Sequence, residues 1–288
     1  MRETSAALGD AGIPDAAREA LLLLELAAGR PREEWYREEP DLSPEDVAAL
    51  RALVERRRRR EPFAYLRGWQ EFWGMRLNVS PACLVPRPDT ETLVEMALRV
   101  VPRRAGQVVD VGTGSGAVIL ALARSGPPSW RLMGVDRSPE ALRVAAGNRS
   151  MLGLDARVSL RVSDLLEAVE SPLLAVVANL PYVGDGESVE PEVRWEPRSA
   201  VFAGPDGLAL IARLIDQAVP KMEPGGVVAL EVGAGQSEAV RRLMDAAGLR
   251  DGGVERDLAG LPRVVWGRCD GGGTGGPNHG RGVEGASP

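Results

Sequence analysis

Gln107-Val-Val-Asp-Val111 runs straight into Gly112-Thr113-Gly114-Ser115-Gly116 and then into an apolar helical pattern from Ala117 to Ala123. A β-branched strand, a glycine turn and a helix in that order predict the first βα unit of an open α/β sheet, whose ligands gather at the C-terminal strand edges. Glycines let backbone come close to a ligand, and a helix N-terminus turns free N–H groups toward it. A second strand, Arg131 to Asp136, closes on a carboxylate twenty residues beyond Gly116. An acid at that spacing can hold the two ribose hydroxyls of an adenosine cofactor. A glycine loop alone is weak evidence, because dehydrogenases carry similar ones.

The glycine spacing separates the classes. A dinucleotide fingerprint needs a glycine three residues after the second, whereas Gly114 is followed by Gly116 two residues on and by Ala117 three on. This G-x-G-x-G form resembles that of S-adenosylmethionine-dependent methyltransferases. Another apolar run, Leu173 to Ala178, reads as a buried strand ending in Asn179-Leu180-Pro181-Tyr182. Asn-x-Pro-Tyr at a strand edge resembles the signature of methyltransferases that modify planar amide or amine nitrogens. The chemistry asks for such residues, because an amide nitrogen is a poor nucleophile and must be aimed at the methyl group. The Asn179 side-chain oxygen and the Leu180 carbonyl can each accept one N–H of a substrate NH2, while Tyr182 offers a flat ring to pack on. Read blandly, the tetrapeptide is a strand ending in an ordinary proline turn. Val158 to Asp164 alternates as a strand, with Asp164 where methyltransferases commonly read the adenine amino group and Leu165 against the ring. Asp164 also suits a helix N-cap.

Composition bounds the rest. The chain has 288 residues, 44% of them hydrophobic, which allows one large or two modest domains. The longest early apolar run, Leu21 to Leu24, stops at Glu25, so neither a signal peptide nor a membrane span is expected, and a cytoplasmic location is. Two cysteines, Cys83 and Cys269, form no disulfide framework and no metal spacing. The one histidine, His279, sits in a glycine-rich tail, which argues against histidine acid–base chemistry and against a metal. A net charge of −6 argues against stable nucleic-acid binding.

Residues 1 to 72 read as helical. Asp15 to Ala28 carries a dense apolar stripe, and Ser43-Pro44-Glu45-Asp46 opens a helix with a hydroxyl cap, a first-turn proline and an acid three residues on. Val47, Leu50, Leu53 and Val54 continue at helical spacing into Arg56 to Arg60, five arginines that read as a solvated helix end or as a docking surface. A hairpin linker over 73 to 83 follows, read from the alternation of Glu71 to Val79. The catalytic domain is expected over 84 to 268, with Gly226 to Val232 as a further buried strand. Residues 269 to 288 hold eight glycines and are expected to be disordered.

Pro86-Arg-Pro-Asp-Thr-Glu91, after Ser80 to Val85, resembles the Pro-Arg-Pro-x-Thr-Glu element of the HemK/PrmC family, the N5-glutamine methyltransferases of peptide chain release factors. Glu61 to Gly68 with Glu71 to Gly74 resembles that family's domain junction. Trp195 to Ala200 with Gly204 to Gly207 resembles its substrate loop, and Arg256 to Gly260 with Arg263 to Arg268 its C-terminal strands. The resemblance implies a seven-stranded Rossmann-like, S-adenosylmethionine-dependent domain after a small all-helical substrate-docking domain; a monomer without metal is expected. It implies transfer to the glutamine of a Gly-Gly-Gln loop in class I release factors. By position, Gly112, Thr113, Gly114, Ser115, Gly116, Asp136, Asp164, Leu165 and Asn179 would hold the cofactor. Leu84, Asn179, Leu180, Pro181 and Tyr182 would hold the glutamine, while Arg87, Thr90 and Glu91 shape the pocket wall or are purely structural.

One departure stands out. The family usually has Asn-Pro-Pro-Tyr, and this chain has Leu180 at the first proline. Asn-Leu-Pro-Tyr is also the form of ribosomal RNA adenine dimethyltransferases, which stay open as an alternative beside enzymes that methylate a ribosomal-protein glutamine. A catalytically dead binding module is opposed by the intact glycine loop, Asp136 and Asn179.

Overall fold

The computed structural model describes residues 1–31, 34, 41–205 and 207–270. His279 and the glycine tail beyond Asp270 lie outside them.

Near the N-terminus, α1 (Arg2–Asp10), α2 (Ala16–Ala28) and α3 (Pro44–Arg58) close a small core around Leu8, Leu23, Leu24 and Leu50. The cap read from the sequence of α3 is complete: Asp46 N donates to Ser43 Oγ at 3.1 Å, and Ser43 N donates to Asp46 Oδ2 at 3.2 Å. A short helix, α4 (Phe63–Arg67), leads into an antiparallel hairpin of β1 (Trp69–Phe72) and β2 (Met75–Asn78). Phe72, Met75 and Leu77 sink into the large core of the following α/β layer, so the hairpin is anchored there.

The arginine run is a solvated helix end only in part: Arg56, Arg58 and Arg59 are exposed, whereas Arg57 and Arg60 are not. Position 57 lies seven residues beyond Leu50 on the same helical stripe, and Arg57 is only 4% exposed. Its guanidinium meets Glu19 of α2 at 2.6 Å and Glu192 of a distant loop at 2.9 Å. Arg60 also reaches Glu192, Arg56 pairs with Glu61, and Arg58 and Arg59 both pair with Glu55. Arg57 and Arg60 thus bind the helical region to the loop around Glu192.

Seven strands then build one sheet: β3 (Gly106–Val111), β4 (Trp130–Asp136), β5 (Val158–Val162), β6 (Leu173–Ala178), β7 (Met222–Glu231), β8 (Leu249–Arg256) and β9 (Pro262–Cys269). Their order is β5-β4-β3-β6-β7-β9-β8, parallel except for β9, which runs antiparallel to both neighbours. Every residue of β6 is buried, as its unbroken apolar run requires of a central parallel strand. Helices α5 (Glu91–Val100) and α6 (Ala117–Ser125) pack on one face with the hairpin. The other face is covered by α9 (Ala209–Ala218), which follows the single turn α8 (Arg198–Val201), and by α10 (Ser237–Ala246). Helix α7 (Pro139–Met151) connects β4 to β5. Among the described residues no helix is long and apolar enough to cross a membrane.

Candidate active site

The strand order reverses between β3 and β6, and parallel pairing sets Val111 beside Ala178. The next residues are Gly112 and Asn179, so the glycine loop and the Asn-Leu-Pro-Tyr loop leave the sheet side by side at its switch point. They touch: a Cβ on Gly112, whose φ is +72°, would stand 3.2 Å from Leu180 Cδ2. A cavity opens there. Its wall includes Gly112, Thr113, Gly114, Ser115, Asp136, Asp164, Leu165, Asn179, Leu180, Pro181 and Leu84. Gly116 is not among the lining residues. It starts α6 at φ +85°, and a Cβ there would press on Leu120 and Ala145, so this glycine serves the turn and the packing of α6.

Asp136 ends β4 with its carboxylate held from two sides. Gly114 N donates to Oδ2 and Ser138 N to Oδ1, each at 2.9 Å. A carboxylate oxygen accepts two hydrogen bonds, so each keeps one lone pair for a hydroxyl in the cavity. At the far wall Asp164 Oδ2 accepts from Arg213 at 3.0 Å rather than capping a helix, and Leu165 sits at φ +49° beside it.

Two polar residues bonded to the glycine loop were not among the expected site residues. Asp110, buried inside β3, accepts from the Thr113 hydroxyl at 2.6 Å, and burial pushes its carboxyl up to about 7. Asn148 of α7, fully buried, donates to the Ser115 and Asn78 carbonyls and accepts Asn78 N, tying the glycine loop to the hairpin. The available signal was a charge in an apolar strand run for Asp110. Nothing local marks Asn148, whose partners are 33 and 70 residues away.

Asn179 Nδ2 donates to Thr90 Oγ1 at 3.1 Å. Behind this pair lies Glu231 at the end of β7, where burial pushes its carboxyl up to about 7 against hydrogen bonds from Thr90 and Asn179. Leu180 is 5% exposed and belongs to the core beneath the sheet edge, so its side chain packs as well as its backbone turning. Tyr182 is fixed through its backbone carbonyl, which accepts Gln236 Nε2 at 2.9 Å. Gly233 leaves room for its ring: a Cβ there would stand 2.9 Å from Tyr182 Cδ2. Burial, above all, pushes the phenol up to about 12, so it stays protonated at neutral pH.

A second cavity shares Leu84, Arg87, Asn179, Leu180 and Pro181 with the first and adds Tyr182, Val189, Val193 and Glu196. Its wall is braced by Arg87, which donates to the buried Glu196 at 2.8 Å, and by Glu192, held by Arg57 and Arg60. Two compartments therefore meet at Asn179 to Pro181.

Comparison with known proteins agrees with this architecture. The model of the PrmC N-terminal domain matches residues 1–68, and a methyltransferase-domain model matches residues 102–175. A release factor glutamine methyltransferase of Geobacter sulfurreducens is 40% identical over 266 residues, covering 91% of this chain and 92% of that protein. The chain belongs to the release factor glutamine methyltransferase family. The family's Escherichia coli member is 40% identical over 255 residues, covering 87% of this chain and 91% of its own. At the level of fold alone, a methyltransferase of Pyrococcus furiosus superposes with a TM-score of 0.53 at 16% identity, over 68% of this chain and 90% of that one.

Proposed function

We infer that this protein transfers a methyl group from S-adenosylmethionine to the side-chain amide nitrogen of the glutamine in the Gly-Gly-Gln loop of class I peptide chain release factors. The observation that carries this reading is the meeting of two cavities at Asn179 to Pro181, one bordered by the glycine loop and Asp136, the other by Tyr182.

The residues present fit the cofactor. Gly112 and Gly114 at positive φ form a cradle without side chains, and Asp136 keeps acceptor capacity on both oxygens. Gly112 to Ser115 would hold the methionine part, Asp136 the ribose hydroxyls, and Asp164 and Leu165 the adenine, with Gly116 setting the turn. S-adenosylmethionine supplies a methyl group on a positively charged sulfur, which makes an in-line attack by nitrogen productive.

For the glutamine, Asn179 Oδ1 and the Leu180 carbonyl would accept the two amide N–H groups and point the face of the nitrogen toward the first cavity. Pro181 stiffens the turn that carries them. Tyr182 would stack on the amide plane, and Leu84 would line the side-chain methylenes. No general base is assigned, because an amide nitrogen carrying a fourth substituent is strongly acidic and releases its proton readily. Holding the nitrogen in line can account for roughly 7–11 kcal/mol of the barrier. Residues 1–72, whose helices end at Arg67 before strand β1, are taken to seat the rest of the factor.

Asn179→Ala tests this reading. It removes one acceptor, and turnover on release factor should fall by about 100-fold or more with unchanged melting temperature. Near-normal turnover would sink the amide clamp.

A further inference from the structure

An asparagine amide is nearly symmetric in shape and opposite in chemistry at its two ends. With Oδ1 toward the substrate cavity, Asn179 accepts an N–H of the incoming NH2. Turned by half a rotation, it would set its own NH2 against that of the substrate, two donors facing each other. Something must choose between the two states, and neither strand β6 nor Pro181 does.

Thr90 alone cannot choose, since a hydroxyl both donates and accepts. Glu231 can. Ala178 pairs with Leu230 across β6 and β7, so the next residues, Asn179 and Glu231, are neighbours with side chains on one face. Glu231 is 2% exposed, and the side chains of Thr90 and Asn179 are placed to hydrogen-bond its carboxyl. Its Oε2 has no hydrogen-bond partner among the described residues, so it keeps lone pairs free to accept from either side chain. Once the Thr90 proton is spent on Glu231, the Thr90 oxygen offers Asn179 only lone pairs. That is the direction of the 3.1 Å contact from Asn179 Nδ2. In either protonation state Glu231 keeps an accepting oxygen, so the Nδ2 end of the amide is drawn toward it and Oδ1 faces the cavity. A buried carboxyl with no cationic partner at hydrogen-bond distance among the described residues lowers stability, and Glu231 stands beside the one side chain whose orientation the reaction needs.

We propose that Thr90 and Glu231 are positioning residues that lock the Asn179 amide with its oxygen toward the substrate nitrogen, Thr90 relaying the acceptor character of Glu231. The proposal rests on the glutamine reading above. It gives Thr90 of the Pro86-to-Glu91 element a role acting through Asn179, beyond shaping the pocket wall.

The test is a double-mutant cycle on the full chain, with release factor as substrate. Thr90→Val keeps shape and loses the hydroxyl, and kcat/KM should fall about tenfold or more, whereas Thr90→Ser should stay within about threefold of wild type. Glu231→Gln, which keeps a carbonyl oxygen, should likewise exceed Glu231→Met by about tenfold. Cofactor affinity by calorimetry should be unchanged in all four. In an Asn179→Ala background, Thr90→Val should cause no further loss, because it has nothing left to orient. A multiplicative loss there, or equal activity of Thr90→Ser and Thr90→Val, would overturn the proposal. Should a Glu231 variant fail to fold, the Thr90 cycle decides alone. Wild-type enzyme that leaves release factor unmethylated would instead overturn the glutamine reading itself.

Discussion

At the scale of single residues, the site is held by acids that neighbouring backbone and hydroxyl groups keep in place. Asp136→Ala removes the acceptors assigned to the ribose and frees the Gly114 and Ser138 N–H groups that now grip it. S-adenosylmethionine affinity, read by calorimetry, should drop about 10- to 100-fold, and unchanged affinity would mean the ribose is held elsewhere. Leu180→Pro keeps the carbonyl assigned to catalysis but loses a side chain that is packed in the core. Turnover should stay within about tenfold while melting temperature falls, the lost burial being worth on the order of 2–3 kcal/mol. Unchanged stability with abolished turnover would place the Leu180 N–H or side chain in the chemistry. Asp110 gives a pH signature. Its folded carboxyl is raised to about 7 by burial, so the folded state holds a proton that the unfolded chain releases near pH 4. The stability it contributes is complete below that lower value and is lost as pH rises through 7. Asp110→Asn should therefore gain in melting temperature relative to wild type between pH 4 and 7.5, and a constant difference across that range would show that Asp110 does not titrate there. Of the site residues, those at strand ends and in the glycine loop were legible, because loop chemistry is local. Glu231 was not, although a carboxylate closing the apolar run Val227 to Leu230 is a visible signal, since its partners come from two other segments.

Elements were legible wherever periodicity and caps agree, as in α3 with its reciprocal Ser43–Asp46 bonds, or β6 with its apolar run. Position 57 shows where local reading stops. Five arginines in a row suggest a solvated helix end, yet the helical repeat carries one of them onto the buried stripe, where Glu19 and Glu192 meet it. Those acids lie 38 and 135 residues away in sequence, beyond any local pattern. Arg57→Ala would take from Glu19 its arginine partner and leave Glu192 with Arg60 alone. The expected cost is on the order of 2–3 kcal/mol, reduced from that of a fully buried pair because both acids keep some contact with water. A melting temperature several degrees lower should be accompanied by faster proteolysis of the loop around Glu192. An unchanged melting temperature would show that this link does not hold the two regions together.

Across the whole molecule, the functional loops converge because one sheet reverses its winding between β3 and β6, and everything proposed for the reaction projects from that edge. The helical region adds its own small core and is joined to the second cavity's wall through Glu192 and through Trp195, whose Nε1 donates to the Arg59 carbonyl at 3.1 Å. This places the helical region beside the second cavity. It suits a substrate that is itself a folded protein with a projecting loop better than a free amino acid. The most direct measurement presents labelled S-adenosylmethionine and the purified full chain with release factors, ribosomal proteins and ribosomal RNA in parallel, and locates the label by mass spectrometry. The label should appear on the glutamine of the Gly-Gly-Gln loop of a release factor, and disappear when that glutamine is replaced. Label on adenine in ribosomal RNA, or on a ribosomal-protein glutamine, with the release factor untouched, would contradict the assignment.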